Sequence, residues 1–172
     1  SAREILADLI QEPSVSAEAE QIMLNHQQEL SLGKGNKMAI KNGYSDQVAL
    51  VSRGNQYLTN LEIEESTVAL LIDTGASMTT LSQAAFHALS TKHTFNLMGQ
   101  RMFSTANGIA KGDIYRVERL KLGKFTLNGS QLAVLNFTMP AGVDGLLGMN
   151  VLAQFRFHID QEKQLLYLAD RP

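Results

Sequence analysis

The sequence contains no cysteine. That excludes disulfide scaffolds, thiolate nucleophiles and Cys-ligated zinc or iron–sulfur centres together. It leaves the compartment open, because a Cys-free chain suits the cytosol and the periplasm equally. Long hydrophobic runs are absent too. The longest, Val68–Ile72, has five residues, against the ~20 of a membrane span. No signal-peptide pattern opens the chain. It begins with Ser1, so an upstream anchor or signal that has been removed stays among the expectations. Nor is there a basic excess. Fifteen Lys and Arg stand against seventeen Asp and Glu, a net charge of −2, which argues against nucleic acid as a partner. His26, His87, His93 and His158 show no His-Glu-x-x-His spacing, so no metal is expected. No Gly-x-Ser-x-Gly elbow occurs, and Gly33-Lys34-Gly35 lacks the spacing of a phosphate loop.

What is present is ordinary globular composition over 172 residues. That length suits one domain with an appendage. A chain of this size buries ~70% of its unfolded surface, enough for a core without staples.

Charge and period divide the chain. Residues 1–30 hold six acids against Arg3, a net of −5, which leaves +3 for the rest. Ile5, Leu6, Leu9 and Ile10 form a helical stripe that Pro13 stops. Ser16 is a candidate N-cap, and Ala19, Ile22, Met23, His26 and Leu30 continue a helical face up to Gly33. Residues 31–46, with three glycines and three lysines, read as a linker. After that the period becomes two. Strands are expected at Val48–Val51, Tyr57–Ile63 and Thr67–Ile72, the last a near-continuous apolar run of the kind buried on both faces. Ser82 can cap a short helix through Leu89. Arg101–Ala106 and Ile109–Val117 flank Asn107-Gly108, a strong hairpin signal. Arg119–Leu122, Phe125–Leu127 and Gln131–Leu135 read as separate strands, with Gly123 and Asn128-Gly129 at turns. Pro140–Asp144 is a loop. Gly145-Leu146-Leu147-Gly148 leads into a helix at about Asn150–Gln154, and Arg156–Ile159 with Gln164–Leu168 makes a last hairpin. Many short strands with two short helices indicate a mostly-β barrel or sandwich. Lys111, Arg116, Arg119, Lys121 and Lys124 alternate over both faces and read as a solvated edge.

Asp73 is the conspicuous residue. It directly follows Val68–Ile72, so it sits at the mouth of a buried strand, where burial disfavours the charged carboxylate. Gly75 lets the backbone pass close to another chain or a ligand. Thr74 offers a hydroxyl that can tie the loop to a neighbour. Taken alone, Asp-Thr-Gly reads more readily as a strand-end Asp satisfying its own backbone.

Four segments in order carry a resemblance. They are Leu61–Ile72, two strands around a tight turn; Asp73-Thr74-Gly75-Ala76-Ser77 followed by Thr80-Leu81; the hairpin tipped by Asn107-Gly108; and Leu146-Leu147-Gly148-Met149-Asn150-Val151-Leu152. Together they resemble the retropepsin-like, or retroviral-type, aspartic proteases, and within them bacterial members. The likeness covers roughly residues 47–168. It implies a mostly-β acid-protease barrel with one short helix on the C-terminal side, carried by residues 47–172. An α-helical extension and linker would occupy residues 1–46. The implied activity is aspartic endopeptidase, with Asp73 as the catalytic residue. Thr74, Gly75, Ala76 and Ser77 would form the active-site loop, Ala106, Asn107 and Gly108 a substrate-covering flap, and Leu147 and Gly148 the support of the site. No cofactor is implied. One site needs two carboxylates sharing a proton, so the likeness implies a homodimer with Asp73 from each chain at a two-fold axis. Asp144 is the alternative partner within one chain, although there an Asp more naturally caps a turn. The implied partners are a peptide or protein substrate and a second copy of the chain, with a membrane only through a missing N-terminal anchor. The protein would then be a soluble domain, periplasmic or tethered in a bacterium. The rival expectations are a catalytically idle dimeric module of the same fold that binds peptides or partners, and an adaptor recruiting through the acidic helices. Residues 1–46 read as a packed arm, a tether or a propeptide.

Overall fold

The computed structural model describes residues 43–105 and 108–171. The proposed N-terminal helices and the hairpin tip at Ala106 and Asn107 lie outside them.

Among the described residues, eleven strands and two helices follow one another: β1 (Asp46–Ala49), β2 (Val51–Arg53), β3 (Gln56–Ile63), β4 (Ser66–Ile72), β5 (Thr80–Ser82), α1 (Gln83–Ser90), β6 (Asn96–Thr105), β7 (Gly108–Leu122), β8 (Phe125–Leu135), β9 (Gly145–Leu147), α2 (Met149–Leu152), β10 (Phe155–Asp160) and β11 (Leu165–Asp170). An eight-stranded sheet runs β2-β3-β4-β9-β5-β8-β7-β6, and β3 also pairs with β7 through Glu62↔Lys121 and Ile63↔Leu120. That extra pairing curls the sheet into a barrel. A second sheet, β1-β11-β10, packs beside it. The mostly-β class expected from the sequence is the observed one.

The alternation of apolar residues explains the core. Leu61, Ile63, Val68, Leu70, Ile72, Leu81, Val117, Leu120, Leu122 and Leu132 bury against Val151, Leu152 and Phe155 of the C-terminal segment and Leu166 and Leu168 of β11. Both faces of β4 are covered, Val68, Leu70 and Ile72 by the main core and Ala69 and Leu71 by a second cluster with Val51, Leu58, Val143 and Leu146, which is why its sequence is apolar without alternation. Ser82 caps α1 as expected, its hydroxyl accepting from the Ala85 amide at 3.1 Å.

Three local expectations change. Val48–Val51 is not one strand; it breaks at Leu50 between β1 and β2. The segments Ile109–Val117 and Arg119–Leu122 form one 15-residue strand, and Phe125–Leu127 and Gln131–Leu135 form one of 11 residues. Asn128-Gly129 is no turn. Gly129 takes a φ of 75°, yet the β7–β8 register is the same on either side, with Val117↔Ser130 and Arg119↔Asn128. Glycine absorbs the positive φ without ending the ladder. Gly145–Leu147, read only as the approach to a helix, is a strand. It is parallel to β4 through Leu70↔Gly145, Leu71↔Leu146 and Ile72↔Leu147, and antiparallel to β5. β4 and β5, neighbours in sequence, are therefore held apart by a strand from far down the chain.

The β3–β4 turn is strained. Glu64 and Glu65 have φ of 50° and 74°, values that residues with a Cβ rarely adopt. Arg119 of β7 holds them there. Its amide donates to the Glu64 carboxylate at 2.5 Å, its carbonyl accepts from the Glu64 amide at 2.9 Å, and its guanidinium pairs with Glu65 at 3.2 Å.

Candidate active site

The wedge of β9 between β4 and β5 forces residues 73–79 to loop over its end. Asp73 closes β4 and is buried, with 3% of its surface exposed. Its amide continues the parallel ladder by donating to the Leu147 carbonyl at 2.9 Å. Its Oδ1 accepts from the Gly75 amide at 3.0 Å, and its carbonyl accepts from the Ala76 amide at 3.1 Å. These bonds fix the carboxyl's direction at the strand end. Thr74, Gly75 and Ser77 are exposed, whereas Ala76 is buried.

The loop is gripped from below by the first turn of α2. The Met149 amide donates to the Ala76 carbonyl at 2.8 Å and the Asn150 amide to the Ser77 carbonyl at 3.1 Å. Gly148 makes this approach possible. A Cβ there would stand 2.5 Å from the Met78 carbonyl carbon and 2.8 Å from the Thr79 nitrogen. Leu147 is fully buried behind it. The exit of the loop is tied by Thr79 and Asn150, two residues the sequence reading did not single out as functional. The Thr79 amide and hydroxyl both donate to Asn150 Oδ1, at 2.7 and 2.8 Å. Asn150 Nδ2 donates to the Gln131 carbonyl of β8 at 2.8 Å, and the Gly148 amide donates to Thr79 Oγ1 at 3.0 Å. No sequence pattern announces this network. Thr79 and Thr80 are both buried, which the polar Ser77–Ser82 stretch does not suggest.

Asp144 is committed elsewhere. Its Oδ2 accepts from the Ala69 amide at 2.9 Å and its own amide donates to the Ala69 carbonyl at 2.8 Å. The side-chain bond ties Asp144 to a strand 75 residues away in sequence and is not the local turn cap expected of it. Ala69 lies four residues before Asp73, about 13 Å along the strand at ~3.3 Å per residue. The pair is too widely spaced to share a proton.

Above the loop stands the β6–β7 hairpin. Paired residues share a face. Phe103↔Ala110 therefore puts the Phe103 ring on the same side as Gly112 and Ile114, where Phe103 and Ile114 pack with Met78 and Ala133. Gly112 leaves room for that ring; a Cβ would meet it at 2.7 Å and Leu135 at 2.6 Å. Met102↔Lys111 and Ser104↔Ile109 lie on the opposite face. All four exposed large hydrophobics among the described residues, Leu97, Met98, Met102 and Ile109, belong to this hairpin. Its root is fixed by Tyr115, which stacks on Phe86 of α1 at 4.3 Å between centroids. Burial, with Asp113 nearby, holds the Tyr115 phenol above its ordinary pKa of 10.0. Gly108 begins β7; Ala106 and Asn107 are outside the described residues. Among the described residues no cluster of three His, Asp or Glu side chains is placed to hold a metal.

An open acidic loop at the end of a buried strand, braced by a Leu-Leu-Gly strand and overhung by a hairpin, defines an acid-protease half-barrel. A family model described as aspartyl protease matches residues 59–151, more than half of the chain, and the chain belongs to that family. Its fold is similar to that of a retropepsin-like aspartic protease from Rickettsia conorii, at 26% identity and a TM-score of 0.54, covering 74% of this chain and 100% of that one. It is also similar to the EIAV protease in complex with the inhibitor HBY-793, at 17% identity and a TM-score of 0.48, over 60% of this chain and 92% of that one. No curated protein matches the sequence.

Proposed function

We propose that the protein is an aspartic endopeptidase whose active site is assembled by two copies of the chain, each giving Asp73. The observation that carries this reading is the buried, directionally fixed Asp73 in an exposed loop, with Asp144 already bonded to β4. Two carboxyls a few ångströms apart cannot both ionise comfortably, so the pair holds one proton and titrates as a unit. The ionised member takes a proton from a water poised between them as that water attacks the scissile carbonyl carbon. The protonated member donates a hydrogen bond to the carbonyl oxygen as charge develops there. Collapse of the tetrahedral intermediate breaks the C–N bond, and the leaving nitrogen takes the proton that the first carboxylate drew from the water, which returns the pair to its singly protonated state. In this reading Thr74, exposed beside Asp73, bonds across to the partner loop, and the backbone of Gly75 and Ala76 contacts the substrate. The hairpin, with Gly108 at its described end, folds over an extended peptide and excludes water. Residues 47–172 carry this activity, and residues 1–46 form the extension.

A peptide-library digest from acidic to neutral pH tests the reading. Wild type is expected to cleave and to be blocked by a peptide carrying a transition-state-mimicking hydroxyl. Asp73→Ala and Asp73→Asn are expected to lose all measurable turnover. Cleavage persisting unchanged in Asp73→Ala would falsify the assignment. Peptide binding without cleavage by wild type would select the idle-module rival.

A further inference from the structure

The hydrogen-bond chain beneath the loop has a fixed polarity. Gly148 N–H can only donate, so the Thr79 hydroxyl accepts from it and passes its own hydrogen to Asn150 Oδ1. The Thr79 amide donates to the same oxygen, and the Gln131 carbonyl can only accept, so the other end of Asn150 must be its NH₂. The site therefore needs one acceptor serving two donors and, on the same short side chain, one donor. Asparagine meets that demand at every pH. An ionised carboxylate in its place would turn an oxygen on the Gln131 carbonyl, and an apolar residue would strand the buried Thr79 groups.

We propose that Asn150 is a positioning residue for Asp73. It locks the exit of the Asp73 loop to β8 through its side chain while its amide holds Ser77, so the carboxyl at the loop's entrance keeps its reactive direction. This rests on the reading that Asp73 carries the reaction. Asn150 touches no substrate; it acts through residues 76–79. A displacement of ~1 Å at reacting groups costs about 100-fold in rate.

The variant Asn150→Asp separates positioning from bulk stability. Its carboxyl, when protonated, donates to Gln131 and accepts from Thr79, as the amide does; when ionised, it cannot donate. The ionisable groups around it are few. β8 has none between Phe125 and Leu135 and α2 has none; the loop offers only Asp73, and β10, packed on α2, carries Arg156, His158 and Asp160. Full-length wild type, Asn150→Ala, Asn150→Asp, Thr79→Val and Thr79→Ser are compared, at protein concentrations where specific activity no longer rises. Asn150→Ala and Thr79→Val are expected to lose about 100-fold in kcat with KM within about twofold, and Thr79→Ser to stay close to wild type. Asn150→Asp should match wild type at acidic pH and fall to the level of Asn150→Ala as its carboxyl ionises, adding a titration that wild type lacks. Amide-exchange protection at Thr79 and Gly148 should drop over the same pH range while that of β11 holds. A wild-type kcat in Asn150→Ala overturns the proposal, as does an Asn150→Asp profile parallel to wild type. So does protection lost evenly across the chain. A wild type that cleaves nothing withdraws the protease reading and this role with it; an active wild type with unaffected variants overturns this role alone.

Discussion

At Gly148 there is no room for a side chain. The added methyl of Gly148→Ala would meet backbone of Met78 and Thr79 between 2.5 and 2.8 Å away, and backbone cannot swing aside as a flexible side chain would. Relief requires moving either α2 or the loop that Asp73 begins. Gly148→Ala is therefore expected to destabilise the fold by about 1–3 kcal/mol, the usual cost of overpacking, and to depress turnover further than stability alone explains. Urea unfolding alongside peptide hydrolysis checks both. Single residues were unequally legible. Asp73 ends an apolar run, a local pattern that the sequence betrays. Gly148 was legible only through the resemblance of its Leu-Leu-Gly segment, because the backbone it makes room for lies far earlier in the chain, at Met78 and Thr79. Thr79 and Asn150 matter because they meet across a sequence gap of 71 residues, and nothing in a linear pattern says which two polar side chains will meet.

The β6–β7 hairpin has two faces with different prospects. Phe103 points with Gly112 and Ile114 toward Met78, whereas Met102 and Ile109 lie on the far side, 57% and 74% exposed. If a peptide lies beneath this hairpin, the inner face alone feels it. Phe103→Ser is expected to raise KM about tenfold, the loss of one modest apolar contact. Met102→Ser should leave KM within about twofold and stability within about 0.5 kcal/mol, as exposed positions do. Steady-state kinetics on the two variants checks the contrast. The hairpin was legible from Asn107-Gly108 because its turn chemistry is local. Its length was not, since Glu118 and Asn128-Gly129 interrupt the apolar alternation that delimits a strand on paper. In the fold, cross-strand pairing from Arg116↔Gln131 to Leu122↔Phe125 carries both strands through those positions. β9 was missed for the opposite reason. Three residues are too few to show a period, and its pairing with β4 and β5 is wholly non-local.

For the whole molecule, the proposed site, with one Asp73 from each chain, makes activity depend on association. Specific activity is expected to rise with protein concentration and then level off, the midpoint tracking the dimerisation constant from sedimentation equilibrium. A specific activity independent of concentration, in a chain that sediments as a monomer with peptide present, contradicts the shared site. The described fold begins slightly ahead of the boundary read from composition. Tyr44 lies under the Arg156 guanidinium, 4.7 Å from ring to cation, and against Tyr167, while the Ser45 amide donates to the Leu168 carbonyl at 2.9 Å. Tyr44 and Ser45 read as linker because these contacts come from the far end of the chain. The insertion of β9 between β4 and β5 also orders events in time. A polypeptide leaving the ribosome exposes Asp73 long before Gly145–Leu147 exists to prop it. The loop after Asp73 thus lacks the strand and helix that hold it until most of the chain has been made.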